Sequence, residues 1–195
     1  ARAPSRRLRC STLSQRISDR VRESLFNLLA HGGHRAPEGA RVLDLFAGTG
    51  ALGFEALSRG AAAAVFVDDN APSRALIREN AERLGLTGAV KIWRRDAVRL
   101  GPCRGRPFDL VFADPPYRSG LGPAALASAR AGGWIAAGAT VVLELAAGED
   151  AAPPPGFTPA DDRRYGETRL VLLTPHGPEA EEDAPCRSDP TPPPS

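Results

Sequence analysis

The sequence predicts an α/β fold in which a mostly parallel, doubly wound sheet carries helices on both faces, and three observations support that expectation. Short apolar runs recur along the chain, among them 41–46 (RVLDLF), 64–67 (AVFV), 108–113 (FDLVFA) and 140–145 (TVVLEL). Segments of helical periodicity separate several of them. The runs are nearly continuous, lacking the alternation of a sheet with one wet face, so both faces should be covered.

The elements follow in order. Ser18 to Leu29 opens with capping residues and places Val21, Leu25, Leu28 and Leu29 on one face of a helix, leaving Arg20, Glu23 and Asn27 on others. A Gly/His/Pro loop from His31 to Gly39 leads to the first strand, which ends in the turn Ala47-Gly48-Thr49-Gly50 before a second helical pattern. The strand Ala64 to Val67 ends at Asp68, and Pro72 opens a helix whose Ile77, Ala81 and Leu84 form a stripe that Gly85 stops. Val90 to Trp93 is a third strand and Phe108 to Ala113 a fourth, followed by Asp114-Pro115-Pro116-Tyr117. Leu121 to Ala131 is helical, Thr140 to Leu145 a fifth strand and Thr168 to Leu173 the last, after a loop around Pro153, Pro154 and Pro155. The expected organisation is a basic, flexible segment 1–17, one domain over 18–173 and a disordered Pro-rich, acidic tail 174–195.

Composition excludes several classes. No apolar run approaches the roughly 20 residues needed to span a bilayer, and the arginine-rich start lacks the apolar centre of a secretory signal, so a cytoplasmic protein is expected. Cys10, Cys103 and Cys186 are dispersed, with no C-x-x-C pair and no histidine cluster, which predicts neither disulfides nor a metal site. The net charge of +2 hides an asymmetry, because Arg2, Arg6, Arg7, Arg9, Arg16, Arg20 and Arg22 crowd one end while Glu179, Glu181, Glu182 and Asp183 sit at the other. A basic end of this kind suits a phosphate backbone; its plainer reading is a solvated arginine-rich tail. A monomer is the default.

Ligands of such sheets bind beyond the carboxyl ends of the strands, and the acidic residues fall there: Asp44 near the end of the first, Asp68 after the second, Asp96 after the third and Asp114 after the fourth. The first turn has Gly48 and Gly50 but no third glycine of a dinucleotide fingerprint and no Gly-Lys-Ser/Thr, which disfavours phosphate binding and nicotinamide chemistry. Two glycines that admit a ligand, beside a carboxylate suited to a cationic amino-acid moiety, fit S-adenosylmethionine; a simple packing turn is the alternative. Asp68, which follows its strand directly, is preferred to Asp69 for the ribose hydroxyls. Asp96-Ala97 could reach the adenine amino group or could simply cap a helix. Asp114-Pro115-Pro116-Tyr117 is the sharpest signal: a rigid turn offering the Asp114 carboxylate and the Pro115 carbonyl as paired acceptors for an exocyclic amine, with Tyr117 to stack on the base.

Several segments together carry a family resemblance: DRVRESLFN (19–27), DLFAGTGALG (44–53), EALSRGA (55–61), FVD (66–68), DPPY (114–117) and RYGET (164–168). They resemble the RsmD-type 16S rRNA guanine-N2 methyltransferases over about Ser18 to Leu173. The resemblance implies a Rossmann-like class I S-adenosylmethionine methyltransferase sheet with an antiparallel last strand, and a guanine of 16S rRNA in an assembling small subunit as acceptor. It further implies that Asp44, Phe46, Ala47, Gly48, Gly50, Asp68, Asp96 and Ala97 bind the cofactor. Asp114, Pro115, Pro116 and Tyr117 would hold the base, and Arg16, Arg20 and Arg22 would lie toward the RNA. The chain departs from the family where Gln15-Arg16-Ile17 stands in place of an R-P-T segment, and Ala1 to Ser14 shows little of the usual N-terminal hairpin. Two other expectations stay open: an amino methyltransferase acting on adenine or cytosine, and a catalytically impaired RNA-binding relative.

Overall fold

The computed structural model of the chain describes residues 18–149 and 152–176. The segment 1–17, with Arg16, and the tail beyond His176 lie outside the described residues. The helices are α1 (Asp19–His31), α2 (Ala51–Ser58), α3 (Ala71–Leu84) and α4 (Leu121–Ala131). The strands are β1 (Arg41–Leu45), β2 (Ala63–Val67), β3 (Val90–Trp93), β4 (Phe108–Ala113), β5 (Ile135–Ala146), β6 (Phe157–Tyr165) and β7 (Thr168–Pro175). They form a single sheet in the order β3-β2-β1-β4-β5-β7-β6. β1 to β5 run parallel, β7 is antiparallel to β5, and β6 pairs antiparallel with β7. The mostly parallel sheet with an antiparallel last strand is therefore present. No helix among the described residues is long and apolar enough to cross a membrane.

Local chemistry explains the helix boundaries. Ser18 caps α1 by accepting from the Val21 amide at 3.3 Å, and Asn70 caps α3 by accepting from Ser73 at 3.2 Å, with Pro72 in the first turn. Strand residues alternate between two cores. Val42, Phe66, Phe112 and Leu172 face α1, α2 and α3, whereas Leu43, Val65, Val111 and Leu143 face α4 and the loops beside it. On α1 the buried residues are Val21, Leu25, Phe26 and Leu29. Leu28, expected in that stripe, is half-buried, and fully buried Phe26 sits with its ring centroid 5.7 Å from that of Phe112.

Three strands depart from the sequence expectation. β6 has no strand signal in the sequence, because its residues are mostly exposed and its Asp161-Asp162-Arg163-Arg164 run shows no apolar pattern; pairing with β7 alone makes it a strand. Charges and Pro159 on an edge strand also discourage further pairing. β5 begins at Ile135, earlier than expected, because the small residues Ala136 to Ala139 fill an irregular stretch where the register with β4 slips between Phe108 and Leu110. β7 continues to Pro175, two residues past the expected end.

Phe26 ties α1 to the sheet and also lies under the Arg59 guanidinium, 5.0 Å from its ring centroid. Phe26→Ala should lower unfolding free energy by about 3–5 kcal/mol, read in urea as an earlier midpoint at unchanged slope.

Candidate active site

The parallel register aligns the strand ends. Leu45 pairs with Val67 on one side and Ala113 on the other, Val67 pairs with Trp93, and Ala113 pairs with Leu143. One residue beyond that row stand Asp68, Phe46, Asp114 and Glu144. Backbone bonds continue the row outward, with Asp68 donating to Trp93 at 3.2 Å, Ala47 to Val67 at 3.1 Å and Asp114 to Leu45 at 3.4 Å. The acidic residues expected near the ends of β1, β2 and β4 thus emerge along one edge of the sheet.

At the first turn, Asp44 lies one step inside the row and is buried, 2% exposed. Its Oδ2 accepts from the Gly53 amide at 3.0 Å. Gly53 is in the first turn of α2, whose cap residue Gly50 has no side chain to offer, so Asp44 supplies the missing acceptor from the strand below. Helix α2 and strand β2 meet closely here: a Cβ at Gly53 would strike the Phe66 ring. Burial pushes the Asp44 carboxyl up to about 8, the Asp68 charge adding to the rise and the Gly53 bond opposing it.

The two glycines of the turn play different parts. Gly50 (φ +77°) packs inward, since a Cβ there would meet Phe54 at 2.7 Å. Around Gly48 the space is open, the nearest atom to a Cβ being the Phe46 carbonyl at 3.8 Å. Phe46 itself has φ 60°, a left-handed conformation costing a non-glycine residue about 1–2 kcal/mol. Ala47 is buried. Asn80, buried on α3, donates to the Thr49 carbonyl at 3.3 Å and braces the turn from below.

Asp68 is half-buried, while Asp69 is exposed. The Asp68 Oδ2 accepts from the Gly48 amide and Oδ1 from the Asn70 amide, each at 2.8 Å, which fixes the carboxylate against the glycine turn. Asp96 is exposed and caps a short 3-10 turn by accepting from Val98 at 3.0 Å; Ala97 beside it is buried. The capping alternative for Asp96 is therefore realised in this structure.

At the end of β4, Asp114 is half-buried, Pro115 buried and Pro116 exposed. Tyr117 is 39% exposed, yet its hydroxyl donates inward to Glu144 Oε1 at 2.9 Å and lies 3.3 Å from the Thr168 hydroxyl. Burial of that hydroxyl, with the Glu144 carboxylate adding, pushes the phenol up to about 12. Tyr117 thus stays a donor throughout the neutral range. Sequence reasoning missed Glu144 and Thr168 as members of this group. The available signal was a carboxylate interrupting the apolar run of β5.

The described arginines differ from one another. Arg22 is largely covered and lies 2.8 Å from Asp19 and 3.8 Å from Glu55, which ties α1 to α2. Arg20 is exposed on α1.

The family described as Conserved hypothetical protein 95 matches residues 6–174. The chain belongs to that family. It is 40% identical over 128 residues to Ribosomal RNA small subunit methyltransferase D of Escherichia coli (strain K12), an alignment covering 65% of this chain and 62% of that protein. The chain thus spans about three fifths of that relative. The same-named protein of Haemophilus influenzae is 30% identical over 151 residues, 76% of each chain. Among solved structures, yhhF from Escherichia coli superposes with a TM-score of 0.75 at 30% identity, covering 88% of this chain and 92% of that one. The sheet of this Conserved hypothetical protein 95 member is the Rossmann-like class I S-adenosylmethionine methyltransferase fold.

The Asp44 shift has a pH consequence. Between the ordinary aspartate value of 3.8 and about 8, the native state keeps a proton that the unfolded chain has released. The associated stability is present below that window and is lost as pH rises through it, with a slope of at most about 1.4 kcal/mol per pH unit. Urea unfolding at pH 5, 6, 7 and 8 should show wild type losing stability relative to Asp44→Asn, whose side chain cannot titrate; parallel profiles would contradict the shift.

Proposed function

We propose that the chain transfers a methyl group from S-adenosylmethionine to the exocyclic N2 of a guanine in small-subunit ribosomal RNA. The observation that carries this reading is the shared register that sets the Asp114-Pro115-Pro116-Tyr117 turn beside the glycine turn and Asp68. The names of the Escherichia coli and Haemophilus influenzae relatives point to the same substrate class. The acceptor would be 16S rRNA in an assembling small subunit, and the protein a cytoplasmic monomer.

The residues present fit the cofactor. The open space at Gly48 is a cradle that a Cβ would fill, and Asp68, fixed beside it, still has lone pairs for ribose hydroxyls. Phe46, Ala47 and Gly50 shape that cradle, Asp44 lies beneath it for the amino-acid end, and Asp96 with Ala97 would border the adenine. When bound, S-adenosylmethionine supplies an electrophilic methyl on a sulfonium.

The chain's own part is positioning. An exocyclic amine is a poor nucleophile because its lone pair is delocalised into the ring. Asp114 and the Pro115 carbonyl would accept its two N–H bonds, favouring a pyramidal nitrogen, and Pro116 stiffens the turn. Tyr117 presents its ring to the base. Arg20, and Arg16 beyond the described residues, would meet the RNA backbone; Arg22 would contribute through the placement of α1.

The test is transfer of labelled methyl to small ribosomal subunits from a strain lacking the corresponding enzyme, followed by nucleoside analysis. N2-methylguanosine is expected; a methylated adenine or cytosine would reassign the base, and absence of cofactor binding would end the reading. Asp114→Ala should lower kcat by about 100-fold to 1000-fold while cofactor affinity, measured by titration calorimetry, stays within a few-fold.

A further inference from the structure

The Tyr117 ring is held at three points. Pro115 and Pro116 restrict the backbone before it. After it, Arg118 adopts φ 56°, and its amide donates to Glu149 Oε2 at 3.0 Å. The third point is the tip of the side chain, where the hydroxyl meets Glu144 of β5 and Thr168 of β7. Both are among the few polar side chains buried within the described residues, Glu144 at 1% and Thr168 at 7% exposure.

The donor roles follow from valence. The phenol has one proton, and a carboxylate can only accept, so the Tyr117 O–H points at Glu144. The phenol oxygen is then left to accept from the Thr168 O–H. The three groups form a directed chain, Thr168 to Tyr117 to Glu144, that fixes the position of the hydroxyl and, because a phenol O–H prefers the ring plane, favours one orientation of the ring. A buried carboxylate is costly, and a purely apolar contact would fill this space at lower cost. What Glu144 adds is an acceptor that aims the phenol.

We propose that Glu144 and Thr168 are positioning residues that clamp the Tyr117 hydroxyl, holding its ring as a preset stacking surface for the target base. The proposal deepens the methyl-transfer reading and rests on it. Both residues act through Tyr117. A ring fixed before binding loses little torsional freedom when a base docks, so the clamp acts on productive RNA binding.

The test uses the full chain and small ribosomal subunits lacking the modification. Tyr117→Phe, Glu144→Gln, Thr168→Ala and the double variant Tyr117→Phe/Thr168→Ala are compared for KM toward subunits, kcat, and S-adenosylmethionine affinity measured without RNA. Each single variant should lower kcat/KM by about tenfold, mainly through KM, with cofactor affinity unchanged. The double variant should be no worse than the poorer single, because all three groups serve one hydrogen-bonded unit. Thr168→Ser, which keeps the hydroxyl, should restore most of the loss. Tyr117→Phe with unaltered KM, or losses that multiply in the double variant, would overturn the clamp. So would variants whose melting temperature falls while KM holds. A wild-type chain that transfers no methyl at all would instead remove the function on which the clamp rests, so the two failures are distinguishable.

Discussion

Parallel strands share one register, so a ladder that pairs Leu45 with both Val67 and Ala113, and Ala113 with Leu143, leaves little freedom in where the next residues emerge. Residues far apart in sequence reach one edge because each follows its strand by the same single step. A slip of one residue in β4 would turn Asp114 to the opposite face of the sheet, toward the core lined by α4. The apolar side chains that alternate between the two cores resist such a slip, so packing well away from the site keeps its carboxylates together. Fully buried Leu110 and Phe112 on one face, and Val111 on the other, are as much a part of this placement as the acidic residues.

Much of this was legible in the sequence because it is local. β3, β4 and α4 have the expected bounds, since each is a compact apolar or helical pattern flanked by turn residues. β6 was illegible because its pattern is set by its neighbour: it is an edge strand whose main chain pairs only with β7 and whose side chains face solvent. The start of β5 was hidden for a related reason, as small residues carry a strand only where the adjoining ladder holds them. Within the candidate site, the placement of the acidic residues at the strand ends was legible because each stands in or directly after an apolar run. Glu144 and Thr168 were not, because their relation to Tyr117 spans 27 and 51 positions and depends on β7 inserting beside β5.

With RNA as the proposed acceptor, the carboxylates gathered at this edge pose an electrostatic problem. Asp44, Asp68, Asp114 and Glu144 would together repel a polyanion if all were charged and open to it. The structure reduces that field. Asp44 is driven toward its neutral form by burial, and Asp68 is bonded to two backbone amides. Glu144 is buried and accepts the Tyr117 hydroxyl. A cationic cofactor would offset more of the charge, so the acidic edge suits a positively charged ligand at the glycine turn, and attraction for the proposed RNA acceptor would have to come from outside it. The arginine-rich start of the chain supplies the complementary charge in sequence.

The two halves of the site are made rigid by different means. On the side of the glycine turn, backbone amides donate to fixed carboxylates: Gly53 to Asp44 and Gly48 to Asp68. That suits a ligand recognised close to the main chain, where side chains would be in the way. On the side of the Asp114-Pro115-Pro116-Tyr117 turn, two prolines, a left-handed residue and a tethered hydroxyl fix a side chain. That suits a flat aromatic ligand, which reads the orientation of a plane. Methyl transfer to a weakly nucleophilic amine depends on holding two partners in line, and a misalignment on either side wastes the precision of the other. The hydrogen bond from Asp114 to Leu45 links the two halves through the backbone itself. The turn proposed to hold the base is thereby referenced to the strand that carries the glycine turn, so small motions of the sheet edge carry both halves together.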